Sequence, residues 1–314
     1  MNKKPLVIIG GATGVGKTAL SVKLAQMIGG EVISADSMQV YKGFDIGTAK
    51  IRPEETQGVP HFLIDELEPD DEFNVYEFKH RALKYAEKIW ERGHIPIIVG
   101  GTGFYIQALL YDIDFTDEET DKSYRHELEQ LAEEKGAEYL HDMLNEVDPE
   151  SASAIHRNNV KRVIRALEFF HETGAQMSSH NTEQRQKESP YNYAYLILNR
   201  KRDVIYKRIE DRVDLMMDEG LADEVKGLLD SGISPDSLAM QGLGYKEIAD
   251  YILGKCSLDE AVYKLKLNTR HFAKRQITWF KREKDAIWVN YEDFAGIEEM
   301  TEHIINILKE KDIV

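Results

Sequence analysis

The residues with the clearest chemical potential form a glycine-rich loop close to the start of the chain. Residues 11–18 read Gly-Ala-Thr-Gly-Val-Gly-Lys-Thr and fit the P-loop pattern G-x-x-x-x-G-K-S/T in full. Backbone N–H groups of such a loop converge on an anion, and the N-terminus of the following helix adds partial positive charge. Lys17 is predicted to bridge phosphate oxygens, and Thr18 to place its hydroxyl on Mg²⁺. The loop predicts a diphosphate or triphosphate site and leaves open which of the two binds. The predicted phosphate-binding residues are Gly11, Ala12, Thr13, Gly14, Val15, Gly16, Lys17 and Thr18.

The segments on either side of the P-loop are of the kind that the motif requires. An apolar run over Pro5–Gly10 predicts a buried strand before it. Leu20, Leu24 and Ile28 recur at helical spacing, so a helix is predicted over Ala19–Ile28. Strand, glycine loop and helix together favour a bound phosphate over an unoccupied turn.

Two further strands bring polar residues to the same edge of the predicted sheet. Glu31–Ala35 is followed by Asp36, and Ile95–Val99 is followed by a second glycine turn that contains Thr102. Ligands of open parallel sheets bind at the carboxyl ends of the strands, so Asp36 and Thr102 are expected near the P-loop. Asp36 fits a general base, a metal-shell carboxylate or a helix N-cap, and Thr102 fits a reactive position or a simple turn.

Composition restricts the class of protein. The chain has 314 residues, 42% of them hydrophobic, and no stretch long enough to span a bilayer. Its single cysteine, Cys256, excludes an internal disulfide and a multi-cysteine zinc site. With no signal peptide at the N-terminus, we expect a cytoplasmic protein without a membrane partner.

Charge is distributed unevenly along the chain. The net charge of −16 argues against a nucleic-acid partner, but residues 264–284 contain eight basic side chains against one acidic side chain, Glu283. Aromatic side chains lie among these basic residues, a combination that suits RNA as well as an ordinary amphipathic helix. After the strand over residues 193–198 come Arg200, Lys201, Arg202 and Arg208, which fit either a phosphate-clamping segment or a solvated helix face.

The order of the patterns predicts an α/β fold: a P-loop NTPase-like parallel sheet core flanked by helices, with an inserted all-helical domain. Residues 1–115 and 190–314 are assigned to the core, and residues 116–189 to the insertion. The polar segment Ser178–Ser189 is predicted as a return linker, Ile205–Leu229 as one helix, and Val59–Asp65 as a further strand. Gly43–Lys50 is predicted as a loop over the site. No strand ends in a Walker-B aspartate at the usual place, which weakens a simple ATPase interpretation.

Several separate stretches together resemble the tRNA dimethylallyltransferases (tRNA isopentenyltransferases) of the bacterial type. In chain order they are residues 11–18, Asp-Ser-Met-Gln-Val-Tyr at 36–41, Asp-Ile-Gly-Thr-Ala-Lys at 45–50, residues 59–65, Val-Gly-Gly-Thr-Gly at 99–103, Lys161-Arg162 with residues 165–168, Gln-Gly-Leu-Gly-Tyr-Lys-Glu at 241–247, and Lys274-Arg275-Gln276 with residues 278–280. The resemblance covers nearly the whole chain. Ala12, Val15 and Lys42 depart from the family's usual residues, and Val15 removes a hydroxyl expected near the phosphates.

The resemblance implies a reaction. Dimethylallyl diphosphate donates its five-carbon group to the exocyclic amine of the adenosine 3′-adjacent to the anticodon in tRNA, and diphosphate leaves. The implied catalytic residues are Asp36 as the general base, Thr102 beside the reacting centre and Lys17 on the leaving group, with Mg²⁺ held by Thr18. The implied tRNA-binding residues are Asp36, Ser37, Met38, Gln39, Thr102, Arg125, Asn159, Val160, Lys161, Arg162, Val163, Lys274, Arg275 and Gln276.

Other functions remain open at this stage. The P-loop by itself fits a kinase of a small metabolite, and an adenylate isopentenyltransferase would use a free nucleotide as acceptor. A nucleotide-dependent RNA-binding protein without catalysis is a further alternative. The helical insertion and the basic helix favour a large RNA acceptor, the anticodon stem-loop, and we expect a monomer.

Overall fold

The computed structural model of this protein describes residues 3–115 and 122–314. Residues 116–121, with which the predicted insertion begins, lie outside the described residues. The chain divides into two compact units. One unit contains the described residues up to Leu110 together with Pro190–Val314, and the other contains the described residues of Tyr111–Ser189.

The first unit is built on one six-stranded sheet. Its strands are β1 (Lys4–Gly11), β2 (Gly30–Ala35), β3 (His61–Phe62), β4 (Ile95–Gly100), β5 (Tyr191–Asn199) and β6 (Ala286–Asn290). Every pairing is parallel, and the spatial order is β3-β2-β4-β1-β5-β6. The central strands are apolar on both faces because helices cover both sides of a parallel sheet. The predicted α/β class with a parallel sheet is confirmed.

Among the described residues of this unit, eight α-helices surround the sheet or connect its strands. They are α1 (Lys17–Ile28), α2 (Val75–Glu91), α3 (Gly103–Leu110), α8 (Arg202–Asp218), α9 (Leu221–Asp230), α10 (Tyr245–Ile252), α11 (Leu258–Phe280) and α12 (Ile297–Glu310), with α4–α7 in the other unit, and a 3₁₀ turn at Tyr291–Asp293 follows β6. One core cluster joins sheet residues such as Val7 and Leu196 to Leu24 of α1 and Ile304 of α12. Among the residues that the structure describes, no helix has the length and apolarity needed to cross a membrane.

The second unit is helical throughout its described part. It contains α4 (Lys122–Val147), α5 (Pro149–Ala154), α6 (Val160–Thr173) and α7 (Met177–Gln186). Non-helical backbone at Gly136 divides α4 into two helical segments. Asp148 caps α5 by accepting a hydrogen bond from the backbone N–H of Ser151.

The predicted linker over Ser178–Ser189 is wrong, because most of it belongs to α7. The carboxylate of Asp148 is fully buried and accepts bonds from the backbone N–H and the hydroxyl of Ser178, at 3.0 and 2.6 Å. Polar contacts therefore attach this helix to its unit. Hydrophobic periodicity, on which the prediction depended, does not detect such a helix.

Two other boundaries differ from the prediction. The helix predicted over Ile205–Leu229 is interrupted at Gly220, whose φ of +96° is left-handed, so α8 ends before it and α9 begins after it. The strand predicted over Val59–Asp65 is only two residues long. Leu63 and Asp65 have φ values of +60° and +55°, which remove them from the extended conformation.

Candidate active site

The P-loop connects β1 to α1 and curves around the end of the sheet. Gly16 caps α1 in a left-handed conformation with φ of +108°, and a Cβ there would lie 2.8 Å from the hydroxyl of Tyr291. The ammonium of Lys17 donates to the carbonyls of Gly11 and Ala12, at 2.9 and 3.1 Å. Burial lowers the pKa of Lys17 to about 8, although the nearby charge of Asp36 opposes the shift.

Side chains from distant segments hold the outer side of this loop. Arg208 of α8 donates to the carbonyl of Gly14 at 2.7 Å, and Arg200 donates to the carbonyl of Val15 at 3.0 Å. Tyr291 donates to the carbonyl of Gly16 at 2.8 Å, and the Arg200 guanidinium lies 3.5 Å from the centre of its ring. The two arginines therefore bond to the P-loop itself rather than lying on a solvated helix face.

Val15 does not lie where the sequence argument places it. Its side chain is almost fully buried in the core cluster around β1 and α1. It is absent from the lining of the cavity at the P-loop. A hydroxyl at this position would not face the phosphates, so the departure at Val15 removes no ligand group.

Gln276 of α11 connects the two glycine turns. Its side-chain oxygen accepts from the backbone N–H of Thr13 at 2.9 Å, and its amide nitrogen donates to the carbonyl of Gly101 at 3.0 Å. The residue is buried, and a Cβ on Gly101 would lie 2.1 Å from that nitrogen. The resemblance assigns Gln276 to tRNA, but in the structure its amide holds the P-loop against the turn after β4.

Asp36 and Thr102 both lie at the carboxyl ends of their strands, as predicted. Asp36 follows β2, and one of its carboxylate oxygens accepts from the backbone N–H of Met38 at 2.9 Å. Thr102 donates its own backbone N–H to the carbonyl of Ala35 and precedes α3. The parallel pairing of β2 with β4 brings the two residues to neighbouring positions on one edge of the sheet.

Two cavities meet at Asp36. The first, of about 630 Å³, is lined by P-loop residues that include Lys17 and Thr18, and we call it the phosphate cavity. The second, of about 450 Å³, has mainly apolar walls, and we call it the apolar cavity. The residues that line both are Thr13, Asp36, Thr48, Ala49, Arg212 and Phe272. Of the predicted residues, Ser37, Met38, Thr102 and Arg275 line the apolar cavity, and Gln39 lines the phosphate cavity.

Arg212 of α8 is a site residue that the sequence analysis missed. It lines both cavities and makes no hydrogen bond or ion pair with the residues that the structure describes. Burial lowers its pKa, and the neighbouring charge of Arg208 acts in the same direction. A buried guanidinium without a bonding partner is suited to binding an anion. The sequence does contain a signal for this residue: Arg212 lies four positions after Arg208, so a helix places both arginines on one face.

The loop over the site, Gly43–Lys50, is held by a second missed residue, Glu224 of α9. Its carboxylate accepts the backbone N–H groups of Asp45, Ile46 and Gly47 at 3.2, 2.8 and 3.2 Å, and the hydroxyl of Tyr245 at 2.7 Å. This loop supplies Thr48 and Ala49 to both cavities. Glu224 thus joins the stretches 45–50 and 241–247, although it belongs to neither.

The residues of the helical unit that the resemblance assigns to tRNA fall into three groups. Asn159, Lys161 and Arg162 are exposed at the start of α6. Val163 is fully buried in that unit's core, and Val160 packs against it, so the Val163 side chain supports the helix instead of facing a ligand. Arg125 forms a two-bond ion pair with Glu168, at 2.7 and 2.9 Å.

The residues that line the phosphate cavity fit a Mg²⁺ ion that takes few ligands from the protein. The described residues contain no group of three or more His, Cys, Asp or Glu side chains placed to hold a metal. Thr18 is exposed and lines the phosphate cavity, near Asp36 and Gln39. Mg²⁺ commonly takes one or two protein ligands and completes its shell with phosphate oxygens and water, so this donor set is sufficient when a diphosphate is bound.

A P-loop lies at the edge of a parallel sheet, and the cavity that it lines joins an apolar cavity at Asp36. Residues 39–283 match the family model for IPP transferase. The chain is 56% identical over 311 residues, 99% of each chain, to the tRNA dimethylallyltransferase of Lachnoclostridium phytofermentans, and 48% identical to that of Bacillus cereus, over 99% of this chain and 98% of the relative.

Solved structures agree with these sequence matches. The tRNA isopentenylpyrophosphate transferase of Bacillus halodurans superposes with a TM-score of 0.74 at 46% identity, covering 99% of this chain and 98% of the other. A eukaryotic dimethylallyltransferase acting on tRNA superposes with a TM-score of 0.85 at 30% identity, covering 99% and 79%. This chain belongs to the IPP transferase family. The family predicted from the motifs is confirmed.

Proposed function

We propose that this protein transfers the dimethylallyl group of dimethylallyl diphosphate to the exocyclic amine of the adenosine 3′-adjacent to the anticodon in tRNA. The observation that carries the proposal is the junction of the phosphate cavity with the apolar cavity at Asp36. A donor with an anionic head and a short apolar tail matches this pair of cavities. The names of the relatives point to the same reaction.

The leaving group is the first half of the chemistry. Diphosphate departs with the electron pair of the allylic C–O bond, so negative charge grows on its oxygens. Lys17, the P-loop N–H groups, Arg212 and Arg208 would stabilise that charge, and one such preorganised donor contributes about 3 kcal/mol to the transition state. Mg²⁺ held by Thr18 would neutralise part of the same charge.

The acceptor is the second half. The adenine amine attacks the allylic carbon as the C–O bond breaks, a C–N bond forms, and one amine proton passes to the carboxylate of Asp36. Thr102 lines the apolar cavity beside Asp36 and would orient the adenine. The apolar walls, among them Val213, Met216 and Leu265, would keep water away from the allylic carbon.

The adenosine must leave its stack to reach this site, which costs a few kcal/mol and less in a loop than in a duplex. Exposed cations are available to hold the surrounding RNA. Lys161 and Arg162 would contact tRNA from the helical unit, and Lys274 and Arg275 from α11. tRNA as the substrate also fits the cytoplasmic location expected from the sequence.

The test supplies purified protein with Mg²⁺ and radiolabelled dimethylallyl diphosphate. Two acceptors are offered in parallel: an anticodon stem-loop with adenosine 3′ to the anticodon, and free AMP. Label is expected on the stem-loop alone, and none on a control stem-loop with guanosine at that position. Label on AMP would instead indicate an adenylate isopentenyltransferase, and phosphate transfer without prenyl transfer would indicate a kinase.

A variant connects the activity to Asp36. Asp36→Asn keeps the shape of the side chain and removes its basicity, so transfer should fall by at least about 100-fold, the lower range for loss of a general base. Affinity for the stem-loop should stay within a few-fold. An equal loss of transfer and affinity would contradict the role of Asp36 as the base.

A further inference from the structure

A third cavity lies apart from the proposed active site. It has a volume of about 630 Å³ and lies between the first turns of α8, the last turns of α11 and the carboxyl ends of β5 and β6. None of its lining residues lines the phosphate cavity or the apolar cavity. Of its lining residues, only Lys274 has a role in the function proposed above, as a contact to tRNA.

The walls of this cavity are positively charged. Arg200, Arg202, Lys274 and Lys281 line it, and no acidic side chain does. None of the four forms an ion pair with a carboxylate among the residues that the structure describes. Other cations of α11, in contrast, are paired with carboxylates of α8: Lys266 with Asp214, and Arg270 with Glu210 at 2.6 Å. In a chain with a net charge of −16, four unneutralised cations around one cavity indicate an anionic ligand.

The same cavity also offers surfaces for a flat, partly apolar group. Tyr206 and Trp288 present rings to it, and Ile205 and Ile277 form an apolar floor. The guanidinium of Arg202 lies 5.0 Å from the centre of the Tyr206 ring. A bare phosphate would need the cations without the rings, whereas a nucleotide uses both, with its base on an aromatic face and its phosphate on Lys or Arg.

A neighbouring groove indicates where such a nucleotide would come from. That groove runs along α11 and is lined by His271, Arg275, Trp279 and Arg282 together with Lys274 and Thr278, which also line the third cavity. The basic and aromatic surface is therefore continuous over several turns of the helix. A continuous surface of this kind matches an extended polyanion better than a single free nucleotide.

We propose that the cavity between α8 and α11 is a docking site for one nucleotide of the RNA substrate, remote from the adenosine that reacts. Its phosphate would lie on Arg202, Lys274 and Lys281, and its base against Tyr206 and Trp288. This inference rests on the proposed function for the identity of the RNA. The site would add affinity and orientation without touching the reacting atoms.

The test measures binding of a whole tRNA transcript, without prenyl donor, across a salt series. Arg202→Gln combined with Lys281→Gln removes two cations and leaves alone Arg200, which also bonds to the P-loop. The plot of log affinity against log salt should become shallower by about 0.7–0.9, the contribution of the single phosphate contact that these two cations make. The control, Lys226→Gln with Lys255→Gln, removes two exposed cations already paired with Asp230 and Asp250, and should leave the slope unchanged.

A second variant separates the base from the phosphate. Tyr206→Leu keeps an apolar side chain in the cavity wall and removes the aromatic face, so affinity should fall about 5- to 150-fold with the slope unchanged, as expected for a lost stacking contact of about 1–3 kcal/mol. With both substrates saturating, kcat should match the wild type for every variant.

An unchanged slope in the Arg202/Lys281 variant overturns the proposal. A second result would also overturn it: free AMP quenches the fluorescence of Trp288, and added tRNA does not displace the AMP. The Trp288→Phe variant identifies the signal of Trp288. The cavity would then bind a free nucleotide instead of a nucleotide of the RNA. A protein that binds tRNA but transfers no prenyl group would refute the proposed function and leave this slope test intact.

Discussion

Replacing Glu224 with glutamine is expected to release the loop over the active site while leaving every residue proposed for the chemistry in place. The carboxylate holds Gly43–Lys50 through three backbone N–H groups and receives the hydroxyl of Tyr245. Each oxygen accepts two of these four bonds. Glutamine keeps one oxygen, so two bonds are lost in either orientation of its amide. The new NH₂ group then faces two donors.

The magnitude follows from those two bonds. Hydrogen bonds to a charged group contribute about 1.5–3 kcal/mol each, which sets an upper range of about 3–6 kcal/mol. Asp45 is exposed, so water can replace part of what is lost. We expect a net cost of about 2–3 kcal/mol to the closed loop, which corresponds to a fall of about 30- to 150-fold in kcat/KM for dimethylallyl diphosphate.

The assay measures kcat and KM for both substrates together with the melting temperature. Asp223→Asn is the matched control, since this exposed carboxylate is the preceding residue on the same helix and has no bond to the loop among the described residues. Tyr245→Phe removes only the hydroxyl and should cost about 1 kcal/mol. A Glu224→Gln protein with a lower melting temperature but normal kcat/KM would show that the loop contact serves stability alone, and would refute the reasoning.

Three further predictions follow from the geometry of the two units. Because burial holds the pKa of Lys17 at about 8 and an anion requires its charged form, the dissociation constant for dimethylallyl diphosphate should rise above about pH 8, up to about tenfold per unit. Lys17→Met should bind weakly with a flat profile, and a flat profile for the wild type between about pH 7 and 9.5 would contradict the assignment. Gly101→Ala should displace Gln276, cost about 1–3 kcal/mol of stability and raise KM for the donor. In a protein that already carries Gln276→Ala, the same substitution should cause no further loss of stability. Fully additive losses would argue against the contact. Asp148→Ala should destabilise the helical unit by about 3 kcal/mol, because buried donors of Ser151 and Ser178 lose their acceptor, as measured by amide hydrogen exchange in α5 and α7.

Acid should affect Asp148 in the same direction as the alanine variant. Burial alone would raise the pKa of this carboxyl, but the hydrogen bonds from Ser151 and Ser178 outweigh burial and hold its pKa below the ordinary value. The stability that it contributes is therefore complete above about pH 4, the unfolded pKa, and is lost as the pH falls through the folded pKa. Exchange in α7 that shows no acid dependence below about pH 4 would contradict this account.

Local chemistry determined much of this protein from the sequence alone. The P-loop, its strand and its helix could be predicted because glycine, lysine and apolar residues act within a few positions of one another. The same holds for Asp36 and Thr102, since polar residues after buried parallel strands lie at one edge of the sheet. The motif stretches were sufficient for the family, which the relatives confirm.

Only the tertiary structure decided which distant side chains complete the site. Gln276 lies 263 positions from Thr13, and Glu224 lies 177 positions from Gly47, so no local pattern connects either pair. The sequence did not show which side chains are buried: Val15 belongs to the P-loop and Val163 to the residues assigned to tRNA, but both lie in the cores of their units. The sequence determines which chemical groups are available to bind or react. Packing decides which of them face the cavity, because burial and hydrogen-bond partners depend on segments that meet only after folding.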